Sequence, residues 1–545
     1  MLVKQKMQWR ILGLFCLCLT LCVGLMTRTY LLCMDEGLRQ AAHRQSSYRL
    51  EIGRTRGKIY DRNLLPLVDI EKVNRLAVIP TELSASDCAR QITGIDRRQV
   101  LDQILEGKPF LYDLPETEKV YSPQVENFSV SHRLAYNKEE RFAQHLIGYL
   151  DGEGKGVCGL EKSFQEELYA AGDMISVRCR IDARGMAAGD EPMEIQGNPR
   201  SGKGGIVLTL DRRIQGIVET VGEEQIAKGA VVVMKAGTGE IAASASFPQY
   251  DPYELGAAVK DEELSLLNRA LMPYCVGSSF KLVTAAAALE QGISPEMTND
   301  CVGVITVANR PFYCHYRAGH REMNLRKAIE ESCNPYFIRL GEQVGGERLL
   351  GMANALGFGK GSELAEGIQS LPGTLPTKAQ LKSPHELANL SFGQGKLTAT
   401  PVQITAMVNT VISGGLYYPP QLILGKSHDG GKIVLEQQNA PRKVFSKTTA
   451  DYLKQAMIGV VEEGSAPMAK PKRGGAGGKT ASAQTGIYDK NEKEIVHAWF
   501  TGFFPAKEPE YVVTVLVEGG EYGGKVAGPI FREIADRIES GYRRS

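Results

Sequence analysis

The sequence predicts a mixed α+β fold in which an antiparallel sheet is flanked by helices. Three observations predict it: β-like segments at both ends of residues 205–545, a largely helical middle between them, and a glycine-rich linker at 198–205 before them. The β-like segments are residues 206–210, 230–234, 240–244, 498–504 and 511–517. Helices are expected at 213–227 and 530–540. A sheet that joins both ends of this region follows from the pattern.

The length and charge of the chain limit the possible function classes. With 545 residues, the chain exceeds one ordinary core, so two or three domains are expected. Its hydrophobic content of 43% and charged content of 23% are typical of a folded globular protein. Its 64 basic and 63 acidic residues leave no basic excess, so a nucleic-acid partner is not expected.

The N-terminus predicts a membrane anchor. Lys4, Lys6 and Arg10 precede an uncharged apolar run at 11–27. We predict a cytoplasmic tail at 1–10, a transmembrane signal anchor at 11–32 and an extracytoplasmic remainder, because basic residues stay on the cytoplasmic side. A removed signal peptide and a buried soluble helix are the alternatives. The linker then divides the rest into 33–204 and 205–545.

The cysteines do not predict a metal site. Three of the eleven lie in the apolar run, and the other eight show no C-x-x-C pair and no histidine spacing typical of zinc. Cys301 and Cys314 flank a short β-like stretch and could form a disulfide, although free thiols are equally compatible with the sequence. Thiol titration would decide between them.

Ser278-Ser279-Phe280-Lys281 is an S-x-x-K motif at the start of an apolar stretch. A serine and a lysine three residues apart share one face of a helix, so the amine can reach the hydroxyl. Burial lowers the pKa of a lysine, which makes it a usable base for activating Ser278. The alternative is an N-cap serine followed by a lysine that extends from a core helix to solvent.

Two further motifs follow in order. Ser332-Cys333-Asn334 is an S-x-N motif after a helical run at 325–331, and Lys479-Thr480-Ala481 precedes Ser482 at a strand start. Alone, the first is typical of a helix-capping turn and the second of a solvated strand edge. Together with S-x-x-K they form the ordered set of penicillin-binding proteins and serine β-lactamases, which makes a chance match improbable.

On these motifs the chain resembles the class B penicillin-binding proteins, monofunctional D,D-transpeptidases of peptidoglycan assembly. Other segments that resemble boxes of this family are 56–63, 145–149, 156–161, 182–185, 247–252 and 392–395 with Thr400-Pro401. The resemblance implies a penicillin-binding transpeptidase fold for 205–545. It implies an elongated pedestal and dimerisation domain for 33–204.

The resemblance also implies a role for each motif residue. Ser278 would attack a stem peptide ending in D-Ala-D-Ala, Lys281 would take its proton, Ser332 would relay a proton, and Asn334 would hold the substrate amide. The residues implied to bind substrate are Lys479, Thr480, Ala481 and Ser482. The backbone N–H groups of Ser278 and Ser482 would form the oxyanion hole. No metal or organic cofactor is implied.

The expected ligands and partners are the stem peptides, β-lactams that acylate the same serine, and a polytopic membrane glycosyltransferase. Two positions depart from the family pattern: Ala481 replaces the usual glycine of the third motif, and Val276 replaces the usual proline before Gly277. Alanine adds one methyl group facing the nucleophile helix, which puts rate or β-lactam affinity in question.

Three other functions share part of this sequence pattern. A β-lactam sensor would need several membrane spans and a cytoplasmic effector domain, and a catalytically weak scaffold has only Ala481 in its favour. A β-lactamase would leave the pedestal and anchor unexplained, and its acyl-enzyme would hydrolyse rapidly. The sequence is compatible with a role in elongation, division or sporulation, and with more than one acyl acceptor and oligomeric state.

Overall fold

The computed structural model describes residues 2–68, 72–131, 142–188, 193–252 and 254–542. The chain forms two compact units. Unit 1 contains Met1–Thr55, Lys72–His132 and Asp173–Ser201, and unit 2 contains Arg56–Glu71, Arg133–Gly172 and Gly202–Ser545. The range 33–204 is therefore shared between the units, and a domain boundary near residue 204 stays a prediction.

Up to residue 204, one long N-terminal helix is followed by short helices and strands. The helices are α1 (Leu2–Met34), α2 (Glu36–Ser46), α3 (Glu82–Gln91), α4 (Gly94–Leu105), α5 (Gln144–Ile147), α6 (Gly159–Ser163) and α7 (Gln165–Ala170). The strands are β1 (Ser47–Arg54), β2 (Lys58–Tyr60), β3 (Lys72–Val78), β4 (Phe110–Pro115), β5 (Val125–Ser131), β6 (Met174–Arg180) and β7 (Glu194–Gln196).

From residue 205 onward, long helices dominate the middle and long strands the end. The helices are α8 (Arg212–Gln225), α9 (Leu255–Lys260), α10 (Lys281–Glu290), α11 (Leu325–Glu330), α12 (Asn334–Val344), α13 (Gly346–Ala355), α14 (Pro384–Phe392), α15 (Pro401–Ile412), α16 (Lys447–Glu462) and α17 (Gly523–Tyr542). The strands are β8 (Gly205–Leu208), β9 (Gly229–Lys235), β10 (Ile241–Phe247), β11 (Tyr274–Cys275), β12 (Asn299–Cys301), β13 (Val304–Val307), β14 (Arg310–Tyr313), β15 (Arg321–Met323), β16 (Glu363–Ala365), β17 (Ile368–Gln369), β18 (Thr398–Ala399), β19 (Leu416–Tyr417), β20 (Ile423–Ser427), β21 (Val434–Leu435), β22 (Arg442–Lys443), β23 (Gly477–Tyr488), β24 (Glu494–Phe504) and β25 (Tyr511–Val517).

Unit 1 carries the apolar N-terminal helix and two small antiparallel sheets. The sheets have the strand orders β1-β6-β7 and β4-β3-β5. Leu76 and Val78 of β3 lie in a buried cluster with Cys88 and Val100, which come from α3 and α4. The apolar segment Val3–Met34 is long enough to cross a membrane, and its side chains are exposed.

Unit 2 is built on a five-stranded antiparallel sheet with the order β10-β9-β25-β24-β23. Strands from both ends of the region therefore join in one sheet, as the sequence predicted. The segment at 206–210 is an exception, because β8 pairs with β2 and β20 in a separate sheet. Strand β23, which carries the third motif, lies at the edge of the large sheet.

Helices cover both faces of this sheet. On one face the rings of Phe500 in β24 and Phe531 in α17 lie 4.7 Å apart. On the other face, Thr405 of α15 donates a 2.9 Å hydrogen bond to Thr514 of β25. Helix α17 begins at Gly523, earlier than the predicted 530, since Pro529 lies inside the helix instead of at its start.

Helix α10 is the central helix beside the site. It packs against α12, α13 and α16, and its residues from Lys281 to Ala288 are all buried. Two of the family-like segments also meet within unit 2, where Arg56 and Glu161 form a buried ion pair of 2.9 Å. Lys281 of the S-x-x-K motif is the first residue of the buried helix α10.

Candidate active site

Ser278 lies on a tight turn between strand and helix. A short 3₁₀ helix at Gly277–Phe280 leads directly into α10. Gly277 has a φ of 61°, a left-handed conformation that glycine adopts at little cost. Ser278 is half-buried, whereas its neighbour Ser279 is fully buried. The turn thus leaves only the first serine of the motif accessible.

Three close approaches hold this turn in place. The indole N–H of Trp499 donates a 3.1 Å hydrogen bond to the carbonyl of Cys275. A Cβ placed on Gly277 would lie 3.2 Å from the Cβ of both Ala481 and Ala483. A Cβ on Gly393, at the end of α14, would collide with the Gly277 carbonyl. Glycine at 277 and 393 is therefore needed to fit the turn between β23 and α14.

Lys281 is fully buried and turned toward the S-x-N loop. Its amine donates to the Ser332 carbonyl at 2.6 Å, to Ser332 Oγ at 3.1 Å and to Asn334 Oδ1 at 2.8 Å. Among the described hydrogen bonds, none involves the Ser278 hydroxyl. The first two motifs are therefore joined through the lysine.

The S-x-N loop turns sharply between α11 and α12. Ser332 has a φ of 56°, an unfavourable conformation for a residue with a Cβ. Cys333 is the N-cap of α12 and Pro335 lies in its first turn, which starts the helix at Asn334. The Asn334 amide also donates to the Tyr313 carbonyl at 3.0 Å. Sequence reasoning missed Tyr313, since a backbone acceptor leaves no motif.

The edge strand β23 brings the third motif to the same loop. Lys479 is fully buried, and its amine donates to Ser332 Oγ at 2.9 Å. Alternation along the strand places Ala481 on the same face as Lys479, where it approaches Gly277. The Ser332 hydroxyl therefore lies between two buried amines from different motifs.

Thr480 and Ser482 lie on the opposite face of β23. Thr480 Oγ1 is 3.3 Å from Ser465 Oγ, and Ser482 Oγ accepts a 3.3 Å hydrogen bond from the Gly523 N–H. A side chain on Gly523 would collide with the Ala481 backbone, so this glycine permits α17 to begin beside the strand. The substrate-binding roles of Thr480 and Ser482 stay predictions.

Burial changes the protonation of both lysines. It lowers the pKa of Lys281 to about 8. Burial, and after it the positive charge of Lys281, lowers the pKa of Lys479 well below its ordinary value. The described hydrogen bonds of both amines go to hydroxyl, carbonyl and amide oxygens, and none goes to a carboxylate. A neutral amine near neutral pH is therefore accessible at this site.

A cluster of three cysteines and one histidine adjoins the S-x-N loop. One ligand atom from each of Cys301, Cys314, His320 and Cys333 lies within 4.8 Å of the others. The three cysteines are buried and free, so the considered Cys301–Cys314 disulfide is not formed. The sequence predicted no metal site because these residues are separated by 12, 5 and 12 others. No short C-x-x-C pair marks them.

Comparisons with known proteins agree with this architecture. Residues 229–536 match the family model described as penicillin binding protein transpeptidase domain. Stage V sporulation protein D of Bacillus subtilis is 28% identical over 92% of this chain and 80% of its own length. The probable peptidoglycan D,D-transpeptidase PenA of Neisseria gonorrhoeae is 28% identical over 94% of this chain and 87% of its own length.

A solved structure shows the same fold. Penicillin binding protein 3 of Mycobacterium tuberculosis, complexed with ampicillin, superposes with a TM-score of 0.65. It is 22% identical, and the match covers 91% of this chain and 96% of that one. The match confirms the predicted fold class across most of the chain.

Proposed function

Because the chain belongs to the penicillin-binding protein transpeptidase family, we propose that it is a peptidoglycan D,D-transpeptidase that acts through an acyl-enzyme on Ser278. One observation carries the mechanism: two fully buried lysines, Lys281 and Lys479, both donate to the Ser332 hydroxyl, beside the turn that exposes Ser278. Such a group of amines and hydroxyls can move a proton without a histidine.

In the first half-reaction, Ser278 Oγ attacks the carbonyl of the penultimate D-Ala of a stem peptide. The neutral amine of Lys281 accepts the hydroxyl proton. Its pKa of about 8 leaves a usable fraction of free base near neutral pH. The backbone N–H groups of Ser278 and Ser482 hold the oxyanion of the tetrahedral intermediate.

Collapse of this intermediate breaks the peptide bond to the terminal D-Ala. The Ser332 hydroxyl passes a proton to the departing amine, and its hydrogen bonds from Lys281 and Lys479 support that role. Lys479 and Thr480 bind the substrate carboxylate, and Asn334 holds the substrate amide. Ala481 is compatible with acylation because its methyl group already fits against Gly277.

The second half-reaction forms the cross-link. An amine from a neighbouring stem peptide attacks the Ser278 ester, and the serine is regenerated. The same serine attacks the carbonyl of a β-lactam and opens its ring, which leaves a slowly hydrolysed ester on Ser278. Slow deacylation therefore separates this function from that of a β-lactamase.

The decisive experiment is intact-mass labelling of the full chain with benzylpenicillin. Wild-type protein is expected to gain the mass of one penicilloyl group, and Ser278→Ala is expected to gain none. Ser279→Ala is the matched control, since this neighbouring hydroxyl is buried and lies outside the proposed chemistry. An adduct on Ser278→Ala would refute the assignment of the nucleophile.

We further propose that residues 1–10 are cytoplasmic and that the catalytic region lies outside the membrane. The basic residues Lys4, Lys6 and Arg10 before the apolar segment support this orientation. Residues 33–204 would form the pedestal, and its surface would meet a polytopic glycosyltransferase that supplies glycan strands. The glycosyltransferase and the transpeptidase would then polymerise glycan strands and cross-link their stem peptides at the same place.

A further inference from the structure

We propose that Cys301, Cys314, His320 and Cys333 bind one Zn²⁺ ion that fixes the S-x-N loop. The four ligand atoms lie within 4.8 Å of one another. Zinc–sulfur bonds of about 2.3 Å and a zinc–nitrogen bond of about 2.0 Å separate neighbouring ligand atoms of a tetrahedron by about 3.5–3.8 Å. His320 Nδ1 is 3.5 Å from Cys314 Sγ and 3.8 Å from Cys301 Sγ. Both nitrogen–sulfur distances lie within about 0.3 Å of the corresponding edge of such a tetrahedron.

The composition of the cluster favours a metal over a disulfide. Three thiols cannot all pair with one another, and a disulfide would give the converging histidine nitrogen no role. All three cysteines are free and buried, which protects a closed site from solvent. Three sulfurs and one imidazole nitrogen are a ligand set of structural zinc sites, whereas magnesium and calcium prefer oxygen.

The local fold brings the four ligands together through backbone contacts. Strands β12 and β15 pair so that Cys301 lies opposite Arg321, which places His320 beside Cys301. The Cys314 N–H donates to the Gly303 carbonyl at 2.9 Å. A Cβ on Gly319 would collide with the Cys301 carbonyl. The backbone segments that carry the ligands therefore lie as close together as a closed metal site requires.

The position of Cys333 gives the ion a consequence for catalysis. Cys333 lies between Ser332, which accepts from both buried lysines, and Asn334, which accepts from Lys281. Ser332 also has an unfavourable φ of 56°. A metal bond to Cys333 holds the backbone on which this conformation depends. The ion is thus a positioning element and does not touch the substrate.

Metal content of the detergent-solubilised full chain is the direct test. Elemental analysis is expected to find about one zinc per chain in wild type and about none in Cys301→Ser or Cys314→Ser. Cys158→Ser is the matched control, because this half-buried thiol of unit 2 lies outside the cluster. Wild-type protein without zinc, or with iron in its place, would overturn the assignment.

Two further measurements distinguish the loss of a zinc ligand from misfolding of the cysteine variants. His320→Cys is expected to retain zinc through four thiolates, whereas His320→Ala is expected to lose it. Exchange of Co²⁺ into wild-type protein is expected to produce the visible absorption of a tetrahedral thiolate site. Full zinc retention by His320→Ala, or octahedral cobalt absorption, would contradict the ligand set.

The positioning role is tested by removing the metal from wild-type protein with a chelator. Acylation by benzylpenicillin is expected to slow about tenfold or more and to recover when Zn²⁺ is added back. Unchanged acylation in zinc-free protein would overturn the positioning role. This part rests on the proposed function, but zinc stoichiometry does not: a failure of Ser278 labelling would leave the metal content unaffected.

Discussion

At the scale of single residues, left-handed backbone occurs on both sides of the reaction centre. Gly277 precedes the nucleophile with a φ of 61°, and Ser332 has a φ of 56°. Glycine adopts this region at little cost, whereas serine does not, so the surrounding contacts must hold Ser332. The Lys281 amine bonds to its carbonyl at 2.6 Å and the Lys479 amine to its hydroxyl at 2.9 Å. The lysines therefore shape the loop as well as its electrostatics.

Gly277→Ala is predicted to slow acylation and destabilise the protein. A left-handed alanine costs about 1–2 kcal/mol, and its Cβ would lie 3.2 Å from Ala481 and Ala483. The strand or the turn must then shift, which moves Ser278 relative to Lys281. Stopped-flow acylation with a fluorescent penicillin and chemical denaturation measure the two effects.

Gly292→Ala is the matched control for that substitution. Gly292 has a φ of 82°, and nothing lies within 4 Å of the position of its Cβ. It should lower stability by a similar backbone cost while acylation stays at the wild-type rate. Adding Ala481→Gly to Gly277→Ala removes one of the close contacts and should recover part of the rate. Wild-type acylation by Gly277→Ala would contradict the role of this contact.

The sequence predicts those parts of the site whose residues belong to short motifs, but not those that depend on side-chain direction or on strand pairing. Lys281, Ser332 and Lys479 belong to short motifs, and the structure brings all three together. The partners of Lys281 were not predictable, because three-residue spacing indicates a shared face but not the direction of a long side chain. The cysteine–histidine cluster depends on antiparallel pairing between β12 and β15, which the spacing of its members does not reveal.

At the scale of elements, helix α8 carries a buried carboxylate. Glu219 Oε1 accepts from the Ala143 N–H at 2.7 Å and from the Gln215 amide at 2.9 Å. Burial raises the pKa of Glu219 to about 8. The folded protein therefore keeps this carboxyl protonated at pH values where the unfolded chain has ionised it, since an unperturbed glutamate has a pKa of about 4.3.

Stability should accordingly fall as the pH rises from about 5 to 8. In this window the folded state binds the extra proton, so the free energy of unfolding decreases by up to about 1.4 kcal/mol per pH unit through this group. Glu219→Gln, which keeps the acceptor oxygen, should remove that slope. Chemical denaturation of both proteins across the window measures the difference.

Glu224→Gln is the control on the same helix, because its side chain is exposed. It is expected to retain the wild-type dependence on pH. If Glu219→Gln and wild type showed parallel stability profiles between pH 5 and 8, Glu219 would be ionised in the folded protein. The conclusion that α8 carries a buried, protonated carboxyl group would then be wrong.

At the scale of the whole molecule, apolar runs in the sequence predicted the large sheet, whereas the domain boundary near residue 204 stays a prediction. The segments at 230–234 and 511–517 are continuous apolar runs, and both became central strands of one sheet. The linker composition at 198–205 indicated a single boundary. The chain instead crosses between units several times, because β2 pairs with β8 within unit 2. Linker composition cannot reveal such a long-range pairing.

The N-terminal helix provides the last prediction, which concerns membrane attachment. The main described contacts of α1 are with α2, and its apolar side chains are exposed, so we expect a membrane to cover them. Deleting residues 2–34 should move the protein from the membrane fraction to the soluble fraction and leave penicillin acylation unchanged, since every proposed site residue lies in unit 2. Shuffling residues 11–27 should preserve attachment, because length and hydropathy decide insertion. A deletion variant that still sediments with membranes would show that another surface binds them.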